Sequence, residues 1–219
     1  MDETPDPPKD QGENVSDTAE EFQVARVESP QLKLAKVAAA GDMRATRDLL
    51  EQVTPRMSRS VQVVLGYGSA DVEDVVQQSL IAFVQALPSF RGECEPVHFA
   101  ARIAVRTAVA ARKRARLQSQ RTDAEVDMEM LASDGAQPSE QLRAARRKKL
   151  VLDLLNDIPD EQAESIALRF VLGWSLGDVA KATGVPVNTV RSRLRLAKEA
   201  LRRKIEQNPQ MAEELGVDA

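Results

Sequence analysis

Residues 174–198, WSLGDVAKATGVPVNTVRSRLRLAK, decide how the second half of this chain folds. Ser175 is placed to cap a first helix, because its hydroxyl can accept a backbone N–H of the opening turn. Gly184 permits a sharp turn after that helix, and Val185 can fill the angle between the two helices. Pro186 suits the first turn of a second helix, where its missing N–H is no loss. The stretch therefore predicts two helices joined by a tight turn.

The second of these helices has one apolar face and one basic face. Its apolar residues recur at intervals of three and four: Val190, Leu194, Ala197, Leu201 and Ile205. Cations recur in the same way on the opposite side: Arg191, Arg195, Lys198 and Arg202. This spacing is the period of an α-helix with one side buried. We interpret the stretch as a helix-turn-helix; a plain helical hairpin with a solvated basic face is the alternative.

The N-terminal end of the second helix carries side chains that can meet base edges and phosphates in a DNA major groove. The candidate DNA-binding residues are Asn188, Thr189, Arg191, Ser192, Arg193, Arg195 and Lys198. Arg191 and Ser192 are the best candidates for specific contacts, and Arg193 or Lys198 for phosphates. A polyanionic partner is therefore expected, although the formal net charge of the chain is −4.

Charge along the 219 residues is arranged in blocks, which the total hides. Residues 1–31 contain nine acids and two bases, whereas residues 96–121 contain seven bases and no acid. Residues 122–142 carry six acids and no base, and residues 188–204 carry seven bases and one acid. Because each neutralised phosphate releases counterions, the two basic segments are candidate phosphate-binding surfaces. The alternative is a pair of solvated helix faces.

Periodicity and composition divide the chain into five parts. We predict a disordered acidic extension at residues 1–30, a helical domain at 31–118, a linker at 119–141, a second helical domain at 142–207 and an acidic tail at 208–219. The extension is acidic and proline-rich without an apolar period, and the linker is polar and acidic. No stretch alternates with a period of two, so the fold class is all-α: two small helical domains joined by a flexible acidic linker.

The first domain contains two helices that bear on function. One starts at Asp71 and ends before Pro88, with these apolar residues at three- and four-residue spacing: Val72, Val75, Val76, Leu80, Phe83, Val84 and Leu87. Opposite them lies a polar stripe of Asp71, Asp74, Gln77 and Gln78. The other helix spans about residues 97–117 and coincides with the first basic block.

Composition excludes several classes of protein. A lone cysteine, Cys94, excludes an internal disulfide and a cysteine-rich zinc site. His98 lies four residues away beside two glutamates, but with no third soft ligand we expect no metal there. The chain has no glycine-rich phosphate loop and no Ser/His/Asp set, so neither a cofactor nor an enzymatic activity is predicted. Without a long apolar run or a secretory signal, a cytoplasmic protein is expected.

Two segments resemble a known family. The segment LNDIPDEQAESIALRFVLGWSLGDVAKATGVPVNTVRSRLRLAKEALRR (155–203) resembles region 4 of bacterial RNA polymerase sigma factors. The segment DVEDVVQQSLIAFVQALPSFRG (71–92) resembles their region 2 helix that docks on the polymerase. With these two regions and a tether, the chain is similar to the compact extracytoplasmic-function (ECF) group over about residues 31–207.

The resemblance implies roles for particular residues. The helix at 71–87 would bind the clamp coiled coil of the large polymerase subunit through Asp71, Asp74, Gln77 and Gln78, because acids can pair with arginines of a partner helix. The basic helix would recognise and open the minus-ten element through Phe99, Arg102, Arg106, Arg112 and Arg114. Phe99 stands where the family usually has tryptophan. The helix-turn-helix would read the minus-thirty-five element.

The implied function is that of a promoter-specificity subunit, which binds core RNA polymerase and promoter DNA and directs transcription initiation. An anti-sigma factor is a further partner that the resemblance implies. The alternatives are a stand-alone helix-turn-helix regulator, and an interaction protein whose DNA contact is vestigial. The acidic extension could shield the basic helices as an internal mimic of DNA, or could simply be a solvated tail.

Overall fold

A computed structural model describes residues 29–66, 69–122, 147 and 150–215. All regular secondary structure in these ranges is helical, and they contain no strand. The all-α fold class predicted from the spacing of apolar side chains is therefore confirmed. Among the described helices, none combines the length and the apolar character that crossing a bilayer requires.

The described part of the first domain is built from four helices. They are α1 (Pro30–Ala39), α2 (Met43–Leu65), α3 (Val72–Ala86) and α4 (Pro96–Thr122), with a 3-10 turn (Leu87–Ser89) after α3. Ser29 caps α1 by accepting the backbone N–H of Leu32 at 3.1 Å. Asp42 caps α2 by accepting the backbone N–H of Ala45 at 2.8 Å. Each cap satisfies a donor that the first turn of a helix leaves unpaired.

Two of these helices extend beyond the predicted domain boundaries. Ser29 and Pro30, which the sequence placed in the disordered extension, form the capped N-terminus of α1. Helix α4 continues to Thr122, inside the segment expected to be linker. Its C-terminal half gains partners from the second domain, which local periodicity does not reveal. The remainder of both segments, residues 1–28 and 123–141, lies outside the described residues.

The core of the first domain forms where α2 packs on α4. Helix α2 contributes a fully buried stripe of Leu49, Val53, Met57, Val61 and Val64. Helix α4 meets it with smaller side chains that are also fully buried: Ala100, Ala101, Ala104, Val105 and Ala108. Small residues let the two helices approach closely, while the larger side chains of α2 fill the space between them.

The second domain consists of shorter helices. Residues 150–154 are helical and lead into a 3-10 turn (Leu155–Asp157). Then come α5 (Asp160–Ile166), a π-helical turn (Ala167–Val171), α6 (Leu176–Thr183), α7 (Val187–Glu206) and α8 (Pro209–Leu215). Helix α8 lies within the segment predicted as an acidic tail, and its Ala212 is buried.

The two domains pack against each other along α4. Helices α5 and α6 and the turn at Leu155–Asp157 all contact α4. Trp174 of the second domain is 5% exposed and packs on His98 of α4, with ring centroids 4.7 Å apart. Buried side chains of both domains consequently form one continuous hydrophobic cluster. One side of α4 therefore builds the first domain and another side receives the second.

Candidate nucleic-acid interfaces

The predicted helix-turn-helix is formed by α6 and α7. Ser175 caps α6: its Oγ accepts the backbone N–H of Asp178 at 3.1 Å and donates to Oδ2 of the same residue at 2.6 Å. Gly184 has a φ of +67°, the left-handed conformation that the sharp turn requires. Pro186 occupies the N-cap position of α7 with extended backbone, so the helix begins at Val187, one residue later than predicted.

Helix α7 is oriented by its apolar face. Val190, Leu194 and Ala197 are buried against α5 and α6, while Leu201 and Ile205 are half-buried. This face turns the opposite side of the helix away from the protein. The basic stripe predicted from sequence is therefore presented outward.

The N-terminal half of α7 is where the predicted base-reading residues lie. Asn188, Arg191 and Ser192 are exposed, and Thr189 and Arg193 are half-buried. Nη1 of Arg191 donates to Oδ1 of Asn188 at 2.9 Å. This neutral partner holds the guanidinium at the helix surface, and Arg191 forms no ion pair with the described residues. The group can therefore turn to a new acceptor at low cost, which suits a base-reading arginine.

Cations further along α7 have different partners. Arg195 pairs with Glu199 at 2.7 Å and Arg202 pairs with Glu206 at 2.8 Å, both as exposed pairs one turn apart. Nζ of Lys198 lies 4.8 Å from the ring centroid of Phe170. Phe170, on the π-helical turn, is 54% exposed. The turn itself was not predicted from the sequence.

The basic side of α4 is covered by carboxylates of the second domain. Nε of Arg102 lies 2.8 Å from Oε1 of Glu164, and Nη2 of Arg112 lies 2.6 Å from Oδ1 of Asp153. Two further pairs join Lys113 to Asp160 and, at 3.1 Å, Arg116 to Asp157. We call Arg102, Arg112, Lys113 and Arg116 the basic face of α4, and Asp153, Asp157, Asp160 and Glu164 the acidic strip.

Arg112 is the most enclosed cation of the basic face. Its side chain is 13% exposed, and Nη1 also donates to the backbone carbonyl of Val64 at 3.1 Å. Burial lowers the pKa of Arg112 from its ordinary value, and the charge of Asp153 opposes that effect. Arg112 thus ties α2, α4 and the second domain together, a structural role that the sequence did not predict for it.

The acidic strip was not predicted from the sequence. Its members follow one another at intervals of four, three and four residues, the helical period, so a signal was present. Asp157 also accepts from Nζ of Lys204 of α7 at 2.7 Å. Partial burial raises the pKa of Asp157, but the Lys204 hydrogen bond and the charge of Arg116 outweigh it and hold the pKa below its usual value. Nothing local identified α4 as the partner of these acids.

The remaining predicted minus-ten residues lie in different environments. Phe99 packs against Phe83 and Phe90, with ring centroids 6.0 and 5.0 Å away, and contributes to the hydrophobic cluster. Arg106 and Arg114 are exposed, and Nη2 of Arg114 donates to Oε1 of Gln78 on α3 at 3.3 Å. The structure therefore does not bring the five predicted residues into one accessible surface.

The predicted polymerase-docking stripe lies on the outer side of α3. Asp71, Asp74 and Gln77 are exposed, and Gln78 is half-buried with its Nε2 donating to Oδ2 of Asp74 at 2.9 Å. Two apolar neighbours on the same helix are also exposed: Ile81 (60%) and Val84 (39%). The sequence placed Val84 on the buried side and did not single out Ile81. A surface of mixed polar and apolar side chains is typical of a protein interface.

Cys94 and His98 lie near each other in the loop before α4 and its first turn. Within the described ranges, no group of three or more His, Cys, Asp or Glu residues is arranged to hold a metal ion. Burial raises the pKa of the Cys94 thiol to about 11, and the nearby Arg102 charge opposes the shift. The thiol is therefore protonated near neutral pH, and the ring of His98 packs on Trp174.

Known proteins resemble this chain over both domains. The family model for Sigma-70, region 4, matches residues 148–201. The ECF RNA polymerase sigma-E factor of Haemophilus influenzae is 32% identical over 142 residues, which are 62% of this chain and 75% of that protein. Its namesake in Escherichia coli (strain K12) is 34% identical over 146 residues, 63% of this chain and 75% of the relative. A solved structure of the sigma factor RpoE of Bartonella quintana with the anti-sigma factor NepR has a TM-score of 0.44 at 24% identity, covering 79% of this chain and 98% of that one.

Proposed function

This chain belongs to the ECF family of RNA polymerase sigma factors, and we propose how its two domains share promoter recognition. It is a promoter-specificity subunit that binds core RNA polymerase and directs transcription initiation. A stand-alone helix-turn-helix regulator is not favoured, because the similarity to sigma factors extends over 142 residues, well beyond the helix-turn-helix. Sigma factors are regulatory subunits and not enzymes. We infer that this one acts in the cytoplasm, where polymerase and chromosome meet.

The N-terminal half of α7 reads the minus-thirty-five element. The observation that carries this assignment is the exposed position of Asn188, Arg191 and Ser192 at the start of the second helix of the helix-turn-helix. In this motif these positions face the base edges of the major groove. Arg191 is the best candidate for a bidentate contact to a guanine, because a neutral amide is its partner in the described part of the protein.

The cations further along α7 bind phosphates. Lys198 rests on the ring of Phe170, which limits its freedom while leaving the charge exposed. Arg195 is held by Glu199 and can exchange that carboxylate for a phosphate, because exposed ion pairs are weak. These contacts fix the position of α7 on the duplex, and the residues at its N-terminal end supply the specificity.

Helix α4 acts on the minus-ten element. Arg106 and Arg114 are exposed in the described structure and are the first cations a DNA strand could meet. Arg102 and Arg112 could contribute only after separation from Glu164 and Asp153. We assign Phe99 a supporting role, because its ring packs on Phe83 and Phe90.

The outer side of α3 binds the core polymerase. Exposed Asp74 and Gln77 can pair with arginines and amides of a partner helix, while Ile81 supplies apolar area at the centre of the contact. We also expect an anti-sigma factor as a partner, as the resemblance implies. A protein of this class would have to cover the outer side of α3 or the exposed side of α7 in order to inhibit the factor.

Reconstituted transcription tests the function. The full chain is added to core polymerase and fragmented genomic DNA of the source bacterium, and the 5′ ends of the transcripts are mapped. We expect starts that share two sequence elements at a fixed separation. Failure to obtain any transcript, from a core enzyme that is active with another sigma factor, would contradict the assignment.

A matched pair of variants tests the docking face. Asp74→Lys reverses an exposed charge on α3, and Glu51→Lys makes the same change on the exposed side of α2. We expect Asp74→Lys to weaken binding to core polymerase at least about tenfold, since like charges oppose each other across an interface. Glu51→Lys should bind like the unmodified protein. Equal loss in both variants would indicate a general charge effect and would refute the assignment of α3.

A further inference from the structure

We propose that the acidic strip takes the place of DNA phosphates on the basic face of α4, so that the free chain is closed for minus-ten recognition while its minus-thirty-five-reading face stays open. The inference rests on the proposed role of α4 and goes beyond it, because it names an inhibitory contact within the chain. It also predicts that the two DNA-binding surfaces become available in different states of the same protein.

The contacts are those that a phosphate would make. Arginine and lysine donate to carboxylate and phosphate oxygens through the same N–H groups and at the same lengths. Oxygens of the acidic strip lie 2.8 Å from Arg102, 2.6 Å from Arg112 and 3.1 Å from Arg116. While these pairs persist, the N–H groups engaged in them cannot donate to the phosphate oxygens of a DNA backbone. Strand binding that uses these three groups must therefore wait until the two domains separate, although Arg106 and Arg114 stay exposed.

The closed arrangement has a fixed register. Each acid of the strip has its own cation on α4, and Nζ of Lys113 also donates to the backbone carbonyl of Ile158 at 2.7 Å. The contact between His98 and Trp174 adds an aromatic anchor near the start of α4. Pairing along the helix together with an anchor at one end defines a single docked orientation.

The contact is also built to open. The side chains of Asp153 and Asp160 are 45% and 65% exposed, so water and salt screen these two pairs. Glu164, at 5% exposed, and Asp157, at 23%, are more enclosed. Two of the four pairs therefore have acids open to water and salt, and a competing polyanion or the polymerase can replace these two first.

The asymmetry between the two surfaces follows from the orientation of α7. Its buried face is packed on α5 and α6, and Arg191 and Ser192 are exposed in the closed state. The basic face of α4, in contrast, is covered by the acidic strip in the closed state. A closed chain can thus touch a duplex through α7 before α4 is released.

The four ion pairs between the acidic strip and the basic face of α4, which we call the lock, should change how strand binding depends on salt concentration. Phosphate binding weakens steeply with added salt because counterions are released. Added salt also screens the acidic strip from α4 and favours opening. The two effects oppose each other, so strand binding by the unmodified chain should fall less steeply with salt than strand binding by an unlocked variant.

The test compares two double variants with equal charge. Asp153→Asn with Asp160→Asn removes two exposed acids of the strip. Glu161→Gln with Glu213→Gln removes two exposed acids of the same domain that make no ion pair with α4 in the described ranges. Asp160 and Glu161 both lie in the first turn of α5. Each variant therefore loses one favourable interaction between an acidic side chain and the dipole of that helix.

Two readouts are made on the full-length proteins. Fluorescent labels on Glu73→Cys and Gln207→Cys, in a Cys94→Ser background, report the distance between the two domains. Trp174, the only tryptophan, reports contact with His98 through its emission and its quenching by acrylamide. Binding to a mixed-sequence 16-nucleotide single-stranded DNA is then measured across a salt series.

We expect the strip variant to show a larger inter-domain distance, about five- to tenfold tighter strand binding and a steeper salt dependence than the unmodified chain. The control variant should match the unmodified chain within about twofold. An unchanged distance and unchanged Trp174 signal in the strip variant would overturn the lock. A larger distance with no gain in strand binding would support the lock and contradict the minus-ten role of α4, so the two failures are distinguishable.

Discussion

The Nε of Arg102 lies 2.8 Å from Oε1 of Glu164, a residue 62 positions away in the sequence and in the other domain. The carboxylate is nearly buried, with its side chain 5% exposed. A buried charge without its partner is costly, so each of these residues depends on the other. Among the pairs that join the basic face of α4 to the acidic strip, this one has the least exposed carboxylate.

Glu164→Gln should therefore destabilise the docked protein. The amide keeps the shape of the side chain but leaves Arg102 without its counter-charge, at a cost of about 1–3 kcal/mol. Urea unfolding followed through Trp174 emission measures the change. Glu161→Gln, an exposed neighbour, should leave the midpoint nearly unchanged. Equal stability of both variants would show that the pair contributes nothing to docking.

Arg191→Ala should reduce promoter specificity. If its guanidinium contacts a guanine, its removal costs about 1–3 kcal/mol on the cognate minus-thirty-five element and little on scrambled DNA. Duplex binding of the full chain with core polymerase, on cognate and scrambled elements, measures both losses. Arg202→Ala removes an equal charge three turns further along α7 and should weaken both duplexes alike. An equal loss on both duplexes for Arg191→Ala would reassign that residue to a phosphate.

Ser175→Ala should destabilise the helix-turn-helix. The hydroxyl accepts the backbone N–H of Asp178 at the start of α6, and the loss of such a cap costs about 1 kcal/mol. Thermal unfolding by circular dichroism measures the change. Ser192→Ala, on the exposed side of α7, is the matched control and should unfold like the unmodified chain. Equal unfolding temperatures for the two variants would show that the Ser175 cap does not stabilise the protein.

Asp178→Asn should lower stability in a pH-dependent way. The hydrogen bond from Ser175 holds the pKa of the Asp178 carboxyl below its usual value. Its stabilising contribution is thus present above the unfolded-state pKa, about 3.9, and is lost as the pH falls through the folded-state value. The difference in unfolding free energy between the two proteins should be largest near neutral pH and should vanish in acid. A difference that stays constant with pH would refute this linkage.

Cys94 should react slowly with alkylating reagents in the folded protein. Because burial raises its pKa to about 11, the reactive thiolate is rare at pH 8, about a hundredfold rarer than for an ordinary thiol. Iodoacetamide labelling followed by mass spectrometry over a pH series gives the apparent pKa. The same thiol in urea is the control and should titrate near its ordinary value. Rapid labelling of the folded chain at pH 8 would contradict this prediction.

Local sequence was enough to predict the helix-turn-helix and the buried and exposed faces of its helices. The cap at Ser175, the turn at Gly184 and the buried face of α7 depend on residues within one or two turns of each other. Such features follow from backbone geometry and helical period, which a single stretch of sequence contains. For the same reason the all-α class was predicted correctly, and errors at helix ends were small, as at Pro186.

Which cations of α4 are available depends on how the second domain packs against that helix. Arg102 and Arg106 occupy equivalent positions in the basic block, yet one is paired with Glu164 and the other is exposed. Likewise Phe99 packs into the aromatic cluster, while Phe170 is turned out to solvent. These outcomes depend on which distant segment packs against each helix face. Charge pairing across a domain boundary is a long-range property, and periodicity in one helix carries no information about its partner.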